Sequence, residues 1–182
     1  KPCQSDWNKL QMIGKYIRST RNFHFTIKPT TNDIQVIAIA DASFATFADG
    51  KSHSGIIVTI CGEDNAPTIM KSEKQKNVTT SSTDAEMVAV ATALGEALWL
   101  SELLAEMGFE RKEIIVYNDN LSTLRLLEKG PSSVGRTRWV TIKNLWIKGY
   151  VEKGKVILRH VPSKESLADG LTKVLTKEEF IK

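Results

Sequence analysis

Four acidic residues carry the clearest chemical signal in this sequence: Asp41, Glu86, Asp119 and Asp169. Each follows an apolar segment typical of a strand or falls in the first turns of a predicted amphipathic helix. Folding alone gives little reason for a carboxylate at these positions. If the four side chains meet at one edge of one sheet, they would repel one another unless cations lay between them. The pattern therefore predicts metal-assisted phosphodiester chemistry.

The chemistry that suits such a cluster uses two divalent ions about 4 Å apart. One ion generates and orients a hydroxide, and the other stabilises the leaving 3′ oxygen of an in-line displacement at phosphorus. Mg²⁺ is the ion that an all-oxygen site retaining several waters favours. The sequence has no histidine or cysteine cluster that would favour another metal.

The segments between the acids predict an α/β domain with a five-stranded mixed sheet flanked by helices. The predicted strands are residues 34–40, 55–61, 67–71, 114–117 and 156–159, and the predicted helices are residues 82–107, 122–128, 137–152 and 163–174. A meander of three strands followed by a right-handed crossover brings Asp41, Glu86 and Asp119 to the carboxyl edge of the central strands. Asp169 joins them if the last strand is parallel to its neighbour, which we assume.

Residues 1–33 are predicted to be an appendage and residues 34–182 the domain itself. Residues 5–18 have the periodicity of a helix, with Ser5 as a possible N-cap and an apolar side that includes Trp7 and Ile17. Residues 23–27 alternate weakly, which is typical of an edge strand. Turn-forming residues 29–33 then mark the boundary.

Composition sets only broad limits on function. The chain has 182 residues, 41% of them hydrophobic, a net charge of +4 and a pI near 9.0. This charge favours a polyanionic partner only mildly. Cys3 and Cys61 are too far apart to suggest a zinc site, so we expect a reducing compartment. We expect no signal peptide and no membrane span, because no apolar run approaches about 20 residues.

Each acid also has a structural explanation. Asp41 and Asp119 could close their strands as Asx turns, and Asp169 could pair with Lys173 one helical turn away. Glu86 could favour the helix dipole, but Asp84 is better placed for that, in a capping box with Ser81 or Ser82.

Glu86 is harder to explain in this way because of its neighbours on the helix. It shares a stripe with Val90, Ala93, Ala97, Leu100 and Leu104, the stripe that should pack on the sheet. A carboxylate there is unusual without a chemical role.

Several segments, in this order and spacing, extend the pattern over nearly the whole chain. They are Ala40-Asp41-Ala42-Ser43, Lys71-Ser72-Glu73-Lys74-Gln75, Ser81-Ser82-Thr83-Asp84-Ala85-Glu86, Glu96-Ala97-Leu98-Trp99-Leu100, Asn118-Asp119-Asn120, Arg136-Thr137-Arg138, Val161-Pro162-Ser163 and Leu167-Ala168-Asp169-Gly170-Leu171-Thr172-Lys173. With them the sequence resembles the ribonuclease H domain of copia-type LTR retrotransposon Pol polyproteins. The first thirty residues resemble the tail that joins the reverse transcriptase thumb to that domain.

This resemblance implies the ribonuclease H fold and cleavage of the RNA strand of an RNA/DNA hybrid with two Mg²⁺ ions, for which Mn²⁺ can substitute. Asp41, Glu86, Asp119 and Asp169 then take the metal-ligand positions. His160 is a candidate for proton transfer or product release, and its alternative is a surface histidine. The partners implied are the hybrid and the polymerase domain of the same polyprotein. The location implied is cytoplasmic, in the virus-like particle of a retroelement, or nuclear.

A nuclease of this kind must recognise 2′-hydroxyls in a wide, shallow minor groove. The small polar residues near the acids suit this task, although Ser82 and Ser122 also suit helix caps: Ser43, Gln75, Ser82, Thr83, Asn120 and Ser122. Arg136 and Arg138 could hold phosphates of the DNA strand, or could simply be solvated at a helix entrance. Trp99, Trp139 and Trp146 are predicted to be core residues rather than stacking platforms.

Two departures from the family pattern are visible. Trp139 stands where copia-type domains usually carry a histidine, so no role for that histidine transfers. Gly170 follows Asp169 where a larger apolar residue is usual, which should loosen the last helix.

Two other functions remain as alternatives. A catalytically inactive or host-adopted module could bind nucleic acid or protein, but it has little reason to retain clustered acids. Integrase-like strand transfer on the same fold is disfavoured, because integrases usually take their glutamate from a later helix.

Overall fold

The computed structural model describes residues 1–26, 34–60, 66–129 and 138–175, with the backbone alone for residues 138–141. The strands are β1 (Val36–Ser43), β2 (Lys51–Ile60), β3 (Ile69–Val78), β4 (Ile114–Asn118) and β5 (Val156–His160). The helices are α1 (Gln4–Ser19), α2 (Ser82–Glu106), α3 (Leu121–Lys129), α4 (Arg138–Glu152) and α5 (Asp169–Thr172).

The strands form one mixed sheet in the order β3-β2-β1-β4-β5. β1 and β2, and β2 and β3, pair antiparallel, whereas β4 is parallel to both β1 and β5. The predicted five-stranded mixed sheet is confirmed, including the parallel orientation assumed for the last strand. Because β1 and β4 are parallel neighbours, Asp41 and Asp119 reach the same edge of the sheet.

The core lies mainly between the sheet and α2. Alternating residues of the central strands face this helix, among them Ala38, Ala40 and Val116, and all of them are fully buried. The stripe predicted to share a face with Glu86 is buried against them: Val90, Ala93, Ala97, Leu100 and Leu104. On the opposite face, Ile39 and Ile57 pack against Ala168, just before α5.

By length and composition, α2 could also cross a membrane, contrary to the expectation from the sequence. Its apolar character has another explanation, because most of the residues in its first three turns and its whole sheet-facing stripe are buried inside the domain. A central core helix needs the same apolar surface that a membrane span needs.

The strands differ from their predicted bounds mainly at their polar ends. β1 extends through Asp41 to Ser43, so Asp41 lies inside the strand, paired with Gly55, rather than after it. β2 begins at Lys51 and β3 continues to Val78, both beyond the predicted ends. The antiparallel pairing of these two strands holds polar residues that have little strand signal of their own.

The single last helix predicted over residues 163–174 is wrong. The chain instead forms one 3-10 turn (Ser163–Glu165), an extended Ser166 and the four-residue α5, which begins at Asp169. Lys173 is already extended. Asp169 is therefore the first residue of a helix rather than two turns inside one.

The N-terminal segment also departs from prediction in detail. α1 begins after Cys3, whose backbone N–H donates to Asp6 Oδ2 at 2.9 Å, so Ser5 is not the cap. Residues 23–26 form no strand. No residue of α1 is buried, and Trp7 is 55% exposed. The boundary turn predicted at residues 29–33 lies outside the described residues, so the division of the chain at residue 33 stays a prediction.

Candidate active site

Three of the four predicted acids meet at the carboxyl edge of β1 and β4. Asp41, Glu86 and Asp119 each offer a carboxylate oxygen, and these oxygens all lie within 4.8 Å of one another. Asp41 and Glu86 are almost completely buried, with 1% and 5% of their surface exposed. Within the described part of the chain, no other group of three acids, histidines or cysteines is this compact.

Glu86 is fixed by hydrogen bonds to both of its carboxylate oxygens. Oε1 accepts from the backbone N–H of Ala42 at 3.2 Å, and Oε2 accepts from Nδ2 of Asn118 at 2.8 Å. Asn118 is fully buried and also donates to the carbonyl of Ala40 at 3.0 Å, while its Oδ1 accepts from the N–H of Asn120. These contacts join α2, β1 and β4 at one point.

Asn118 was not among the candidate site residues predicted from the sequence. The feature of the sequence that could have identified it is its position at the end of an apolar strand, directly before Asp119. An amide in such a position has no apolar partner and must find hydrogen bonds when it is buried.

The cluster is electrostatically unfavourable without a cation. Burial raises the pKa of Glu86 to about 8, and the nearby charges of Asp41 and Asp119 act in the same direction, against the hydrogen bond from Asn118. Burial also raises the pKa of Asp41, although the adjacent Lys173 opposes this shift. Carboxylic acids that are held together and out of water favour protonation or a bound cation.

Asp169 lies beside this cluster rather than within it. Its Oδ1 is 2.8 Å from Nζ of Lys173, which in turn is 3.8 Å from Oδ2 of Asp41. The Asp169–Lys173 pair expected as a structural alternative is therefore present, and it also extends to Asp41. Burial lowers the pKa of Lys173, but its hydrogen bond to Asp169 and the charges of Asp41 and Asp119 raise it overall.

Two further contacts hold α5 at the acids. The hydroxyl of Thr172 donates to Oδ2 of Asp41. The hydroxyl of Ser43 donates to the carbonyl of Thr172 at 3.3 Å. Thr172 was not predicted as a site residue, although it belongs to the same short segment as Asp169 and Lys173.

The last residue of β5 and the first residue of the 3-10 turn after it contact Asp119. Nε2 of His160 lies 3.1 Å from the backbone carbonyl of Asp119, which can only accept, so Nε2 carries a proton and donates. The hydroxyl of Ser163 donates to Oδ2 of Asp119. His160 is exposed, so its other ring nitrogen can reach solvent or a ligand.

The predicted substrate-binding residues divide into two groups. Ser82 and Ser122 are exposed, and neither is a cap. The N-cap of α2 is Ser81, whose Oγ accepts from the N–H of Asp84 at 3.1 Å. Oδ1 of Asn120 accepts from the N–H of Thr123 at the start of α3.

Three other residues in that prediction serve the fold. Gln75 is only 5% exposed and binds Ser54 and Ala85, so its predicted contact with a substrate is not supported. The hydroxyl of Ser43 is committed to α5. Thr83 is half-buried, and its carbonyl accepts from the hydroxyl of Thr123 at 3.3 Å.

The basic and aromatic predictions are tested only in part. Arg136 lies outside the described residues, and the side chains of Arg138 and Trp139 do as well. The prediction that Trp99 and Trp146 are core residues is wrong, because they are 59% and 39% exposed. Trp99 lies on the solvent side of α2, and Trp146 packs edge-on against Tyr150 with ring centroids 5.5 Å apart.

Comparison with solved structures defines the fold class. LC11-RNase H1, isolated from compost by a metagenomic approach, matches 75% of this chain and 91% of its own length with a TM-score of 0.57 at 21% identity. The prototype foamy virus protease-reverse transcriptase matches 85% of this chain and 23% of its own length, with a TM-score of 0.57 at 16% identity. The chain therefore has the ribonuclease H fold.

Sequence comparison finds relatives of this chain among transposon polyproteins. No family model matches it. Retrovirus-related Pol polyproteins from transposons RE2 and RE1 of Arabidopsis thaliana are 30% and 31% identical over 98% of the chain, and that of TNT 1-94 from Nicotiana tabacum is 29% identical over 98%. The chain spans only 12–13% of the length of these relatives. These relatives by sequence are thus all retrovirus-related Pol polyproteins from transposons, each matched over 98% of this chain.

Proposed function

We propose that this chain is a metal-dependent endonuclease that hydrolyses the RNA strand of RNA/DNA hybrids during reverse transcription of a retroelement. The observation that carries the proposal is the meeting of Asp41, Glu86 and Asp119 on the ribonuclease H fold. Two of these carboxylates are buried where nothing in folding requires them. Burial and the charges of Asp41 and Asp119 raise the pKa of Glu86 to about 8, and a bound cation would relieve this unfavourable arrangement.

The donor set fits divalent metal ions. The ligand atoms that Asp41, Glu86 and Asp119 offer are all carboxylate oxygens, which suits Mg²⁺ and also allows Mn²⁺. Asp41, Glu86 and Asp119 would hold the ions, with Asp169 as the fourth ligand after release from Lys173. When bound, two such ions supply an activated water and stabilise the leaving 3′ oxygen.

The protein's own groups would orient the reaction. Asn118 and the Ala42 N–H hold the Glu86 carboxylate at one angle, so that it presents a fixed edge to the ion. His160 donates through Nε2 to the Asp119 carbonyl, which leaves Nδ1 to take a proton from the attacking water or to accept a product contact. As the bond from phosphorus to the 3′ oxygen breaks, that oxygen takes up a proton.

The solved structures support the proposed substrate. LC11-RNase H1 has been solved in complex with an RNA/DNA hybrid, and its fold covers 75% of this chain. The exposed hydroxyls of Ser82 and Ser122 would contact 2′-hydroxyls of the RNA strand, with Arg136 and Arg138 on phosphates of the DNA strand. The polymerase domain of the same polyprotein would share the hybrid. The site of action would be a cytoplasmic virus-like particle, or the nucleus.

A cleavage assay tests the proposal. The RNA strand of a labelled hybrid should be cut only in the presence of Mg²⁺ or Mn²⁺, while duplex DNA and duplex RNA remain intact. Asp41→Asn and Glu86→Gln should each lower the rate by at least about 10³-fold, because both remove a metal ligand, yet should still bind the hybrid. Full activity of either variant would contradict the assignment.

One observation favours a second candidate, a non-catalytic nucleic-acid or protein-binding module. Lys173 already pairs with both Asp41 and Asp169, so part of the negative charge is compensated without metal. A folded protein that binds a hybrid but does not cut it, with either metal, would support this candidate.

A further inference from the structure

The edge strand β3 carries none of the four acids, yet it contacts the two helices that carry Glu86 and Asp169. Because side chains alternate along a strand, Gln75 points to the face of the sheet covered by α2, and Ser72 points to the face covered by α5. Both residues belong to the segment Lys71-Ser72-Glu73-Lys74-Gln75, to which the proposed function assigns no chemical role.

Gln75 ties the start of α2 to the sheet. Its Nε2 donates to the backbone carbonyl of Ala85 at 2.9 Å and to Oγ of Ser54 at 2.9 Å. The carbonyl of Ala85 can only accept, so the orientation of the amide is determined by chemistry. Ala85 directly precedes Glu86, and this bond therefore fixes the turn of α2 from which the carboxylate projects.

Lys71, on the same face of β3, forms a second contact with α2. Its Nζ lies 2.6 Å from Oε1 of Glu96, eleven residues or about three turns beyond Ala85. Both ends of this stretch of α2 are thus bound to the same edge strand. These two polar contacts add to the apolar packing that places α2 on the sheet, and they fix its start and its middle against β3.

Ser72 ties α5 to the sheet. Its hydroxyl donates to the carbonyl of Leu171 at 2.7 Å. Since that proton is committed, the 2.8 Å contact between Oγ and His53 must have Nε2 of the histidine as the donor. Phe47 packs against the His53 ring, with centroids 5.7 Å apart. Two consecutive hydrogen bonds therefore connect His53 to Ser72 and Ser72 to Leu171.

α5 needs this attachment because it has only four residues, too few to form a stable helix alone. It sits directly on β2. A Cβ at Gly55 would lie 2.8 Å from the carbonyl oxygen of Ala168, from Cβ of Leu171 and from Cγ2 of Thr172. Ser72 is the cross-strand neighbour of Gly55, so its hydroxyl bond to Leu171 lies on the strand next to this close approach.

We propose that Ser72 and Gln75 are positioning residues, which hold α5 and the first turns of α2 so that Asp169 and Glu86 face the same site. Neither residue touches the reacting atoms. The part of this inference that concerns metal and catalysis rests on the proposed function, whereas the part that concerns the positions of the two helices does not.

The first test is amide hydrogen exchange on the whole chain without metal. In Ser72→Ala, the amides of Leu171 and Lys173, which close α5, should exchange at least about 10-fold faster, with the amides of β1 and β4 unchanged. Ser72→Thr, which keeps the hydroxyl, should restore slow exchange. In Gln75→Met, a similar increase is expected at Ala85. Asn77→Ala, at an exposed position on β3, is the matched control and should change neither region.

The second test measures Mn²⁺ binding and cleavage. Ser72→Ala and Gln75→Met should each weaken Mn²⁺ binding, followed by electron paramagnetic resonance, by about 10-fold. They should lower kcat by about 10–100-fold and leave KM for the hybrid nearly unchanged. Asn77→Ala and Ser72→Thr should behave like the wild type in both measurements.

Two results would overturn the inference. One is wild-type exchange at Leu171 and Lys173 in Ser72→Ala, together with wild-type exchange at Ala85 in Gln75→Met. The other is faster exchange spread equally over β1 and β4, which would mean that both residues only contribute to global stability. Exchange is measured without metal or substrate, so a protein that never cleaves a hybrid would refute the proposed function and leave this test intact.

Discussion

At the scale of single residues, the buried amide of Asn118 orients one of the acids of the candidate site. It contacts Glu86, Ala40 and the N–H of Asn120 from one fully buried position. Such a residue sets the angle of a ligand without being one. Replacing it should therefore weaken metal binding as well as lower stability.

Asn118→Ala tests this expectation. The change leaves the Ala40 carbonyl and one oxygen of Glu86 without their donor, which should lower the free energy of unfolding by about 2–3 kcal/mol. It should also weaken Mn²⁺ binding by about 10-fold or more. Asn144→Ala is the matched control, because Asn144 is equally buried and donates to the Leu126 carbonyl on α3. Equal metal affinities in the two variants would contradict the role assigned to Asn118.

Glu86 should also give the metal-free protein an unusual dependence on pH. Its pKa in the folded protein, about 8, is above the ordinary value of 4.5, so the folded state holds more protons than the unfolded state between these values. The free energy of unfolding should therefore be highest below about pH 4.5, as far as this group is concerned, and should fall by about 2–4 kcal/mol as the pH rises to about 8.

Chemical denaturation at about pH 6 and about pH 9 measures this effect. Added Mg²⁺ or Mn²⁺ should recover stability most at about pH 9, where Glu86 is ionised and binds a cation best. Glu86→Gln should lose most of the pH dependence. A wild-type protein whose metal-induced gain is the same at both pH values would refute this account.

At the scale of elements, the two helices that carry acids are held in different ways. α2 has 25 residues and a continuous buried stripe, so packing defines its place. α5 has four residues, and its place depends on close backbone approach at Gly55 and on a few hydrogen bonds. We therefore expect α5 to be the part of the site most easily displaced.

Gly55→Ala tests the close approach. The added methyl would lie 2.8 Å from the backbone oxygen of Ala168, which cannot move without moving α5. The free energy of unfolding should fall by about 1–3 kcal/mol, and cleavage should fall by about 10-fold or more because Asp169 is displaced.

Gly95→Ala is the matched control on α2. Nothing lies within 4 Å of a Cβ at Gly95, so alanine there should stabilise the helix by about 0.5–1 kcal/mol without changing cleavage. An active, unaltered Gly55→Ala variant would show that α5 does not sit on β2 as described.

At the scale of the whole molecule, the part of the chain that carries the candidate active site and the N-terminal helix α1 differ in how much of their surface they bury. The domain has its own core, whereas α1 buries none of its residues and exposes apolar side chains such as Leu10, Ile13 and Ile17.

Deletion of residues 1–33 tests this separation. Since α1 contributes no buried surface, the melting temperature and Mn²⁺ affinity of residues 34–182 should stay close to those of the full chain. Thermal unfolding monitored by circular dichroism measures the first quantity. A fall of more than about 5 °C, which corresponds to roughly 1 kcal/mol or more, would show that the segment is part of the domain.

Much of this architecture follows from local pattern. The apolar run before Asp41 and the 3.6-residue stripe that contains Glu86 predict their elements, and the meander with its right-handed crossover predicts which edge they share. Strand ends were less predictable. Polar residues such as Ser72 and Lys74 carry little strand signal and are held in β3 by pairing with β2.

The sequence by itself determined the five strands, the central helix and the sheet edge at which Asp41, Glu86 and Asp119 converge, because hydrophobic period and chain direction are local properties. Only the tertiary structure decided that Asp169 begins a four-residue helix, that Lys173 links it to Asp41, and that Asn118 and Gln75 are buried supports. These features depend on distant backbone groups approaching within hydrogen-bonding distance, and no neighbouring residue in the sequence encodes such an approach.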